Sequence, residues 1–518
     1  FLLSLCEGHK ENQKNNHLKE MSAAEEFVMP TPEVALEHCV KRCAEQGVLL
    51  PTYEMLMHPE KMPAKVLEEL KSVGLWDINP RNLFRITWKN ERKMSGGVFQ
   101  DVPNHIELPS VLTGTKARVV MLVGRYFPTG AHKVGASYGP LVEKMVTGHF
   151  DPTCQKALWP STGNYCRGGA FNSRLLGCPA IAVLPAQMSQ ERFDWLKTIG
   201  AEVYATPGCE SSVKAVFDKN NELVQTGKGK VVSLNQFAEF ANPLWHYHVT
   251  GHALEEVYHH VAKEGDSLVG VHMTQGSAGT LSSTEYLRSK FPTIKVAAGE
   301  AWQCPTLLFN GFGDHRIEGI GDKHVPWVLN VKNLDCIVAI DDEVVMRTMH
   351  LFNQPAGIAY LRDVIKVPQE TLDNLKLMGI SSIANMIGCI KMAKYFEWTE
   401  HNITMSVCTD SMDMYQSRLK DFGREYTTED AIHDYTRLVN ITTDHMVEMT
   451  YYDKKRMHNL KYFTWVEQQG MSDKELNAQW YDPDYWTSRI GEAKRKELDA
   501  EIMAFNRRTG MAEKYGIA

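Results

Sequence analysis

The sequence predicts an α/β protein with mostly parallel β-sheets that are covered by helices on both faces. Between about residues 116 and 300, short apolar runs rich in β-branched residues alternate with amphipathic helical patterns, and this alternation is typical of parallel sheets. The chain has 518 residues, of which 43% are apolar, so it can bury more than one core. In such folds the chemistry collects on the loops that follow the strands.

The predicted elements alternate regularly along this region. The predicted strands are residues 118–124, 156–161, 180–185, 202–206, 230–235, 267–273 and 294–300. The predicted helices between them are residues 134–146, 166–177, 188–199, 211–226, 244–264 and 280–290. Residues 21–115 and 416–518 are expected to form mostly helical N-terminal and C-terminal extensions. Residues 1–20 are expected to be disordered or foreign to the native chain, with a native start at Met21.

The charge pattern excludes several kinds of partner. There are 56 basic and 63 acidic side chains, a net charge of −7, and no long basic run, which argues against nucleic acid or an anionic membrane. No stretch of about 18 apolar residues is present, so no membrane-spanning helix is expected. The 11 cysteines include no CxxC motif, which favours a reducing compartment over disulfides or a zinc site. We therefore expect a cytoplasmic protein with no metal site.

A lysine follows the first predicted strand of the α/β region. The loop PTGAHK, residues 128–133, places Lys133 at the start of a predicted helix, where the positive end of the helix dipole makes an amine easier to deprotonate. Such a lysine suits Schiff-base chemistry with a carbonyl. Considered alone, a solvated surface lysine is the simpler interpretation.

A second loop offers hydroxyl and amide groups at a helix start. Ser161, Thr162, Gly163, Asn164 and Tyr165 close one predicted strand and open the next helix. Backbone amides and hydroxyls in this position can hold a carboxylate, and the Asn164 amide can also donate to a ring oxygen. An ordinary capped helix is the alternative interpretation.

The third loop, Gly276-Ser277-Ala278-Gly279-Thr280, consists of small residues that can close around an anion. It lacks the lysine of a nucleotide-binding P-loop, so a phosphate monoester fits it better than a triphosphate. A fourth loop carries Ser381 before a long apolar helix. Together the four loops supply an amine, a carboxylate site, a phosphate site and a hydroxyl. This set describes pyridoxal phosphate holding an amino acid.

From about residue 105 to 415 the chain resembles the cysteine synthase and cystathionine β-synthase branch of the fold-type-II, tryptophan-synthase-β-like pyridoxal phosphate enzymes. TGAHK matches the tryptophan synthase β motif, STGN resembles TSGN, and GSAGT resembles GTGGT. Residues 184–203 resemble MPxxMSxERxxxLxxxGAE, and residues 318–330 resemble QGIGxGFIPxxLD. The order and spacing of the motifs agree throughout.

The resemblance implies a fold of two three-layer αβα subdomains. Residues 116–165 and 266–415 would form the larger, cofactor-binding subdomain, and residues 166–265 the smaller, mobile one. It also implies a homodimer that acts on a small amino-acid substrate.

The resemblance further implies the role of each site residue. Lys133 would hold pyridoxal phosphate as an imine and later move the α-proton, Asn164 would contact the ring hydroxyl, and Ser381 would face the pyridine nitrogen. The implied cofactor-binding residues are Lys133, Asn164, Gly276, Ser277, Ala278, Gly279, Thr280 and Ser381. The implied substrate-binding residues are Ser161, Thr162, Gly163, Asn164, Tyr165 (through its amide) and Arg167.

The implied activity is β-replacement through an aminoacrylate intermediate, as in cysteine synthases. A neutral hydroxyl such as that of Ser381 does not enforce a protonated ring, which favours loss of a β-leaving group over transamination. Arg167 stands where the family has small or apolar residues, so it either recognises a second acidic group on the substrate or is a surface arginine. Two alternatives remain open: a β-elimination lyase of the cysteine desulfhydrase or serine/threonine dehydratase type, and a non-catalytic binding protein with this fold.

Overall fold

The computed structural model describes Phe27 and residues 29–517; the expectation for residues 1–20 falls outside this part of the chain. The β-strands within it are β1 (His105–Leu108), β2 (Arg118–Val123), β3 (Lys156–Pro160), β4 (Ala180–Pro185), β5 (Glu202–Thr206), β6 (Val231–Ser233), β7 (Ser267–Thr274), β8 (Lys295–Ala301), β9 (Cys336–Ile340), β10 (Asn402–Cys408) and β11 (Met446–Glu448).

Helices separate and flank these strands. The α-helices are Pro32–Glu45, Tyr53–Met57, Ala64–Leu70, Ser110–Thr113, Lys133–Val146, Asn164–Leu175, Gln190–Thr198, Val213–Thr226, Ala241–Trp245, Gly251–Val261, Ser282–Lys290, Thr306–Phe309, Asp342–Asn353, Pro355–Asp363, Gln369–Asn374, Ile380–Tyr395, Thr428–Val439, Tyr451–Lys461, Asp473–Tyr481, Tyr485–Ile490, Glu492–Arg508 and Met511–Lys514. Each strand and helix predicted from 116 to 300 is present, with boundary shifts of a few residues. A π-helical turn, His246–Thr250, joins two of the helices into one.

The larger sheet has the strand order β1-β2-β10-β7-β8-β9-β11. The five central strands pair in parallel, and both faces are buried. Along β2, Val119, Met121 and Val123 enter one core, whereas Val120 and Leu122 enter the core on the opposite face. Successive strand residues point to opposite faces of a sheet. The nearly all-apolar composition of β2 therefore reflects the helices that cover both faces. The structure confirms the predicted α/β class.

The smaller sheet has the order β5-β4-β3-β6 and is entirely parallel. The sequence interpretation assigned residues 116–165, and therefore β3, to the larger subdomain. Instead β3 pairs with β4 and β6, because the helix Asn164–Leu175 returns the chain to a strand beside it in the same sheet. The helix Ala241–Trp245, expected in the smaller subdomain, packs against Lys133–Val146.

The two extensions close the edges of the larger sheet. β1 pairs antiparallel with β2 at one edge, and β11 pairs antiparallel with β9 at the other. Both strands lie in regions predicted to be mostly helical, and at four and three residues they are too short to give a clear alternating pattern. Among the described residues, no helix has the length and apolarity needed to cross a membrane.

The extensions also bind each other. The Asn506 side chain donates to the Leu50 carbonyl at 2.8 Å and accepts from the Leu50 amide at 3.0 Å. Asp499 accepts from the Tyr53 amide at 2.6 Å. The helix Glu492–Arg508 therefore joins the two ends of the chain.

Candidate active site

The lysine loop connects β2 to the helix Lys133–Val146. It turns through two residues with positive φ, Thr129 at 68° and Gly130 at 71°. A threonine in this region of the φ/ψ map is strained, and such strain clusters at functional sites. The His132 amide donates to the Thr409 carbonyl at 3.3 Å, which ties the loop to the end of β10. Lys133 is therefore held as the first residue of its helix.

The Lys133 ammonium points toward the glycine-rich loop. Its Nζ donates to Ser277 Oγ at 3.1 Å and to Gln236 Oε1 at 3.3 Å. Burial lowers the pKa of Lys133 from 10.5 to about 8, although the nearby carboxyls of Asp322 and Glu210 oppose the shift. The neutral, nucleophilic amine is therefore far more abundant near neutral pH than in a free lysine.

This lowered pKa predicts how apoprotein takes up pyridoxal phosphate. Only the neutral amine attacks an aldehyde, so the rate of imine formation should rise with pH and level off above about pH 8. Stopped-flow absorbance of apoprotein mixed with pyridoxal phosphate measures this rate, with a free lysine derivative as the control. A rate that climbs up to the ordinary lysine pKa, as for the control, would contradict the burial of this amine.

The glycine-rich loop follows β7 and leads through a turn of 3₁₀-helix, Gly279–Leu281, into the helix Ser282–Lys290. Ala278 has φ 66°, a conformation that turns successive amides toward one side and forms an anion-binding concavity at a helix start. A Cβ on Gly276 would lie 2.9 Å from the Gly319 carbonyl oxygen, and one on Gly279 would collide with Asn242 Oδ1. The loop can therefore accept only glycine at these two positions.

Replacing Gly279 with alanine should weaken cofactor binding by at least about tenfold, since an intruding methyl group displaces Asn242 and with it the loop. Asn242 Nδ2 donates to Ser277 Oγ at 3.2 Å, so the disturbance reaches the proposed phosphate site. Equilibrium titration of apoprotein with pyridoxal phosphate measures the effect. Gly270→Ala is the matched control: its Cβ would collide with Trp398, away from the loop. Equal losses of affinity in the two variants would show that general destabilisation is the cause.

The second loop, after β3, is fixed by hydrogen bonds from three directions. Ser161 Oγ accepts from the Gly163 amide at 3.0 Å and from Gln236 Nε2 at 3.4 Å. Arg192 Nη1 donates to the Thr162 carbonyl at 2.9 Å. Because Gln236 also accepts from Lys133, a continuous chain of contacts joins the lysine to this loop. The amides at the start of the helix Asn164–Leu175 are available for an anion.

Asp410 contacts both the Asn164 side chain and the backbone just before Ser381. Asn164 Nδ2 donates to Asp410 Oδ2 at 2.6 Å, and the hydroxyl of Tyr415 donates to the same oxygen at 2.7 Å. The Asp410 carbonyl accepts from the Gly379 amide at 3.1 Å, two residues before Ser381. Asn164 Oδ1 and Ser381 Oγ are buried without a hydrogen-bond partner. Burial raises the pKa of Asp410, while Arg192 and Tyr415 oppose the shift.

The side chains of Tyr165 and Arg167 contact groups outside the Ser161–Asn164 loop. The Tyr165 hydroxyl donates to the Leu234 carbonyl at 3.0 Å, so only its amide remains for the predicted role. The Arg167 guanidinium lies 4.8 Å from the Trp195 ring centre and donates to the Met414 sulfur at 3.1 Å. Burial lowers the pKa of Arg167 to about 10. Arg167 is thus a buried residue, not a surface one, and its side chain forms no hydrogen bond to the Ser161–Asn164 loop.

Several residues around Lys133 lacked an assigned role in the sequence interpretation. Gln236 bridges the lysine and Ser161, and Asp410 holds Asn164; Arg192, Glu210 and Asp322 are the remaining members of this group. Arg192 lies within the recognised 184–203 motif and Asp322 within the 318–330 motif, so both could have been singled out there. Glu210 carries no local signal.

The residues present fit pyridoxal phosphate. The amine of Lys133 lies beside a loop shaped for a phosphate, and two buried polar atoms, Asn164 Oδ1 and Ser381 Oγ, have no partner within the described chain. Buried polar atoms are normally paired, so a polar ring seated here would complete both.

The chain is similar to known proteins. The profile of the family described as "Pyridoxal-phosphate dependent enzyme" matches residues 127–360. A cysteine synthase of Staphylococcus aureus is 30% identical over 290 residues, which cover 56% of this chain and 85% of the relative. A cystathionine beta-synthase of Saccharomyces cerevisiae is 26% identical over 324 residues, which cover 61% of this chain and 60% of the relative.

Solved structures show the same fold. O-acetyl serine sulfhydrylase isoform 3 of Entamoeba histolytica superposes with a TM-score of 0.53 at 20% identity, over 66% of this chain and 94% of that chain. The fold and the site thus define a fold-type-II pyridoxal phosphate enzyme. With the relatives above, the chain belongs to the pyridoxal-phosphate dependent enzyme family, and pyridoxal phosphate is its cofactor.

Proposed function

We propose that this enzyme catalyses β-replacement on an amino acid that carries a leaving group at its β-carbon. This is the type of reaction expected of the cysteine synthases that the chain resembles. The observation that carries the proposal is the contact of Lys133 Nζ with Ser277, together with the chain of hydrogen bonds through Gln236 to Ser161. One amine thereby faces both the proposed phosphate site and the proposed carboxylate site. The 30% identity to cysteine synthases supports the same reaction class.

Each group of residues has a distinct task in this proposal. The amides and hydroxyls of residues 161–165 bind the substrate carboxylate and fix the orientation of its α-carbon. Lys133 Nζ removes the α-proton from one face and returns it at the end of the cycle. Bound pyridoxal phosphate supplies an electron sink for the α-carbon. Ser381 would offer the ring nitrogen a neutral hydroxyl, which would keep that sink moderate.

The protein environment is proposed to exclude water during the reaction. We propose that the smaller subdomain, which is built around the sheet β5-β4-β3-β6, closes over the bound substrate, since closure protects reactive species from hydrolysis. We also propose a cytoplasmic homodimer; light scattering of the purified holoenzyme tests the dimer. The ten cysteines within the described residues are all free thiols, which supports a reducing compartment.

The test measures which product forms. Purified holoenzyme is supplied with serine, cysteine or O-acetylserine, and pyruvate, ammonia and the replaced amino acid are quantified with and without sulfide or a thiol. Replacement predicts that the added nucleophile diverts product from pyruvate into a new β-substituted alanine. Pyruvate formation that is unaffected by any nucleophile would identify a β-elimination lyase. Colourless protein without product from any substrate would identify a non-catalytic binding protein.

A further inference from the structure

A buried lysine of the C-terminal extension binds the backbone of the segment that follows the glycine-rich loop. Lys461 is 0% exposed. Its Nζ donates to the Trp327 carbonyl at 2.9 Å and to the Leu329 carbonyl at 2.6 Å. It also donates to Gln479 Oε1 at 2.7 Å. An ammonium has three donors and is tolerated in the interior only when they are paired, so Lys461 is a fixed attachment point of the extension.

Two more side chains of the extension hold the same segment. Trp465 Nε1 donates to the Val325 carbonyl at 2.8 Å, and Gln479 Nε2 donates to the Trp327 carbonyl at 3.2 Å. The Trp465 ring belongs to one apolar cluster with Trp327, Val328 and Phe237. These extension residues all lie beyond residue 360, where the match to the family profile ends. The extension therefore supports residues 325–329 by hydrogen bonds and by packing.

The same segment also contacts the active site. The Val328 amide donates to the Phe237 carbonyl at 3.2 Å. Phe237 directly follows Gln236, whose side chain joins the amine of the site to the Ser161–Asn164 loop. The Gln236 carbonyl accepts from Asn242 Nδ2 at 2.8 Å. The main chain at Gln236 is thus held from two sides, and one of the two contacts comes from the segment that the extension supports.

The position of Gln236 is critical because its two side-chain contacts are long. Its Oε1 lies 3.3 Å from Lys133 Nζ, and its Nε2 lies 3.4 Å from Ser161 Oγ. Since a contact of about 3.6 Å is no longer a hydrogen bond, a displacement of about 0.3 Å is enough to break either one. Gln236 can join the amine to the loop only while its own backbone stays in place.

We propose that Lys461 is a positioning residue for the active site, which acts by fixing Gln236 between the amine and the Ser161–Asn164 loop. Lys461 immobilises the main chain on both sides of Val328, and Val328 holds the residue that follows Gln236. The C-terminal extension is therefore part of the machinery of the site. The expected effect on turnover rests on the proposed function, whereas the expected effect on the amine does not.

A purely structural role for Lys461 predicts a different result. If Lys461 only stabilised the fold, its loss would lower the free energy of unfolding and leave the site of the folded molecules unchanged. A positioning role changes the folded site, and it does so through Gln236. The coupling between Lys461 and Gln236, measured in a double-mutant cycle, distinguishes the two roles.

The kinetic test compares folded holoenzymes. Lys461→Met keeps the apolar stem and removes all the donors, and kcat/KM should fall by about 100-fold, the loss that a remote misplacement of about 1 Å produces. Trp465→Phe removes only the hydrogen bond to Val325 and should give a smaller loss. Lys394→Met is the matched control: Lys394 Nζ donates to the carbonyls of Val439 and Ile441 at 2.7 and 3.0 Å, and its loss should leave kcat/KM unchanged.

The second readout is the midpoint pH of imine formation by apoprotein. An acceptor beside an ammonium favours its charged form, so losing the Gln236 contact should lower the pKa of Lys133. Gln236→Leu and Lys461→Met should each move the midpoint below about pH 8, and Lys394→Met should not. The double variant should have the midpoint of Gln236→Leu alone, because Lys461 acts through Gln236.

An unmoved midpoint in Lys461→Met, or shifts that add in the double variant, would overturn the positioning role. A loss of kcat/KM no larger than that of Lys394→Met would also overturn it. If Lys461→Met does not fold, Trp465→Phe replaces it in the same cycle with the same two outcomes. Imine formation requires only the cofactor, so this measurement still decides the role of Lys461 if the product assay identifies a lyase and refutes β-replacement.

Discussion

Replacing Lys133 with alanine is expected to lower turnover by at least about 1,000-fold, because the side chain serves both as the anchor of the cofactor and as the base for the α-proton. Its Nζ lies 3.1 Å from Ser277 Oγ beside the proposed phosphate site. The variant should still bind pyridoxal phosphate through the glycine-rich loop, but borohydride should no longer fix the cofactor covalently. Mass spectrometry of borohydride-treated wild type should place the label on Lys133.

Lys144→Ala provides the control for this prediction. Lys144 lies on the same helix, and its ammonium forms an ion pair with Glu239 at 3.1 Å. This variant should keep the covalent label and full activity. A Lys133→Ala enzyme that still turns over normally, or that carries the label on another lysine, would refute the assignment of the amine and the mechanism built on it.

Replacing Arg192 with methionine is expected to lower the free energy of unfolding by about 3–5 kcal/mol, the usual cost of leaving buried charges unpaired. The guanidinium is fully buried, lies 3.4 Å from Glu318, and donates to the Tyr415 hydroxyl at 2.8 Å. It also donates to the Thr162 carbonyl at 2.9 Å, so the variant should bind substrate carboxylate more weakly. Urea unfolding measures the first effect and KM the second.

The exposed lysine Lys214 provides the comparison. Lys214 pairs with Asp218 at 2.6 Å one helical turn away, and both side chains are about 60% exposed. Since such surface pairs contribute about 0.5 kcal/mol or less, Lys214→Met should unfold almost like wild type. If Arg192→Met is no more destabilised than Lys214→Met, then the buried network does not depend on this arginine.

The central sheets were predictable because their strands carry a strong local signal. Strands such as β2 and β4 are short runs of Val, Ile and Leu between amphipathic helices, and burial on both faces imposes this composition. The sheet to which a strand belongs was less predictable. β3 was assigned to the wrong side of the boundary, because strand pairing depends on which neighbours are close in space.

The proposed site was predictable only where a loop carries a motif. Lys133, the glycine-rich loop and the Ser161–Tyr165 loop all follow strands and have distinctive residues at fixed spacing. The residues that connect these loops by hydrogen bonds do not lie in such motifs. Asp410 lies 246 residues beyond Asn164 in the chain, and Gln236 is an ordinary glutamine until the fold places it between Lys133 and Ser161. Such long-range pairs leave no trace in a local pattern.

The antiparallel strands at the sheet edges protect the newly synthesised polypeptide from aggregation. Until Met446–Glu448 leave the ribosome, β9 presents a row of unsatisfied amides and carbonyls, which is a template for pairing with other chains. This edge is therefore vulnerable to aggregation between the synthesis of β9 and that of β11. Premature stop codons upstream of this segment should yield insoluble protein even though every proposed catalytic side chain has already been made.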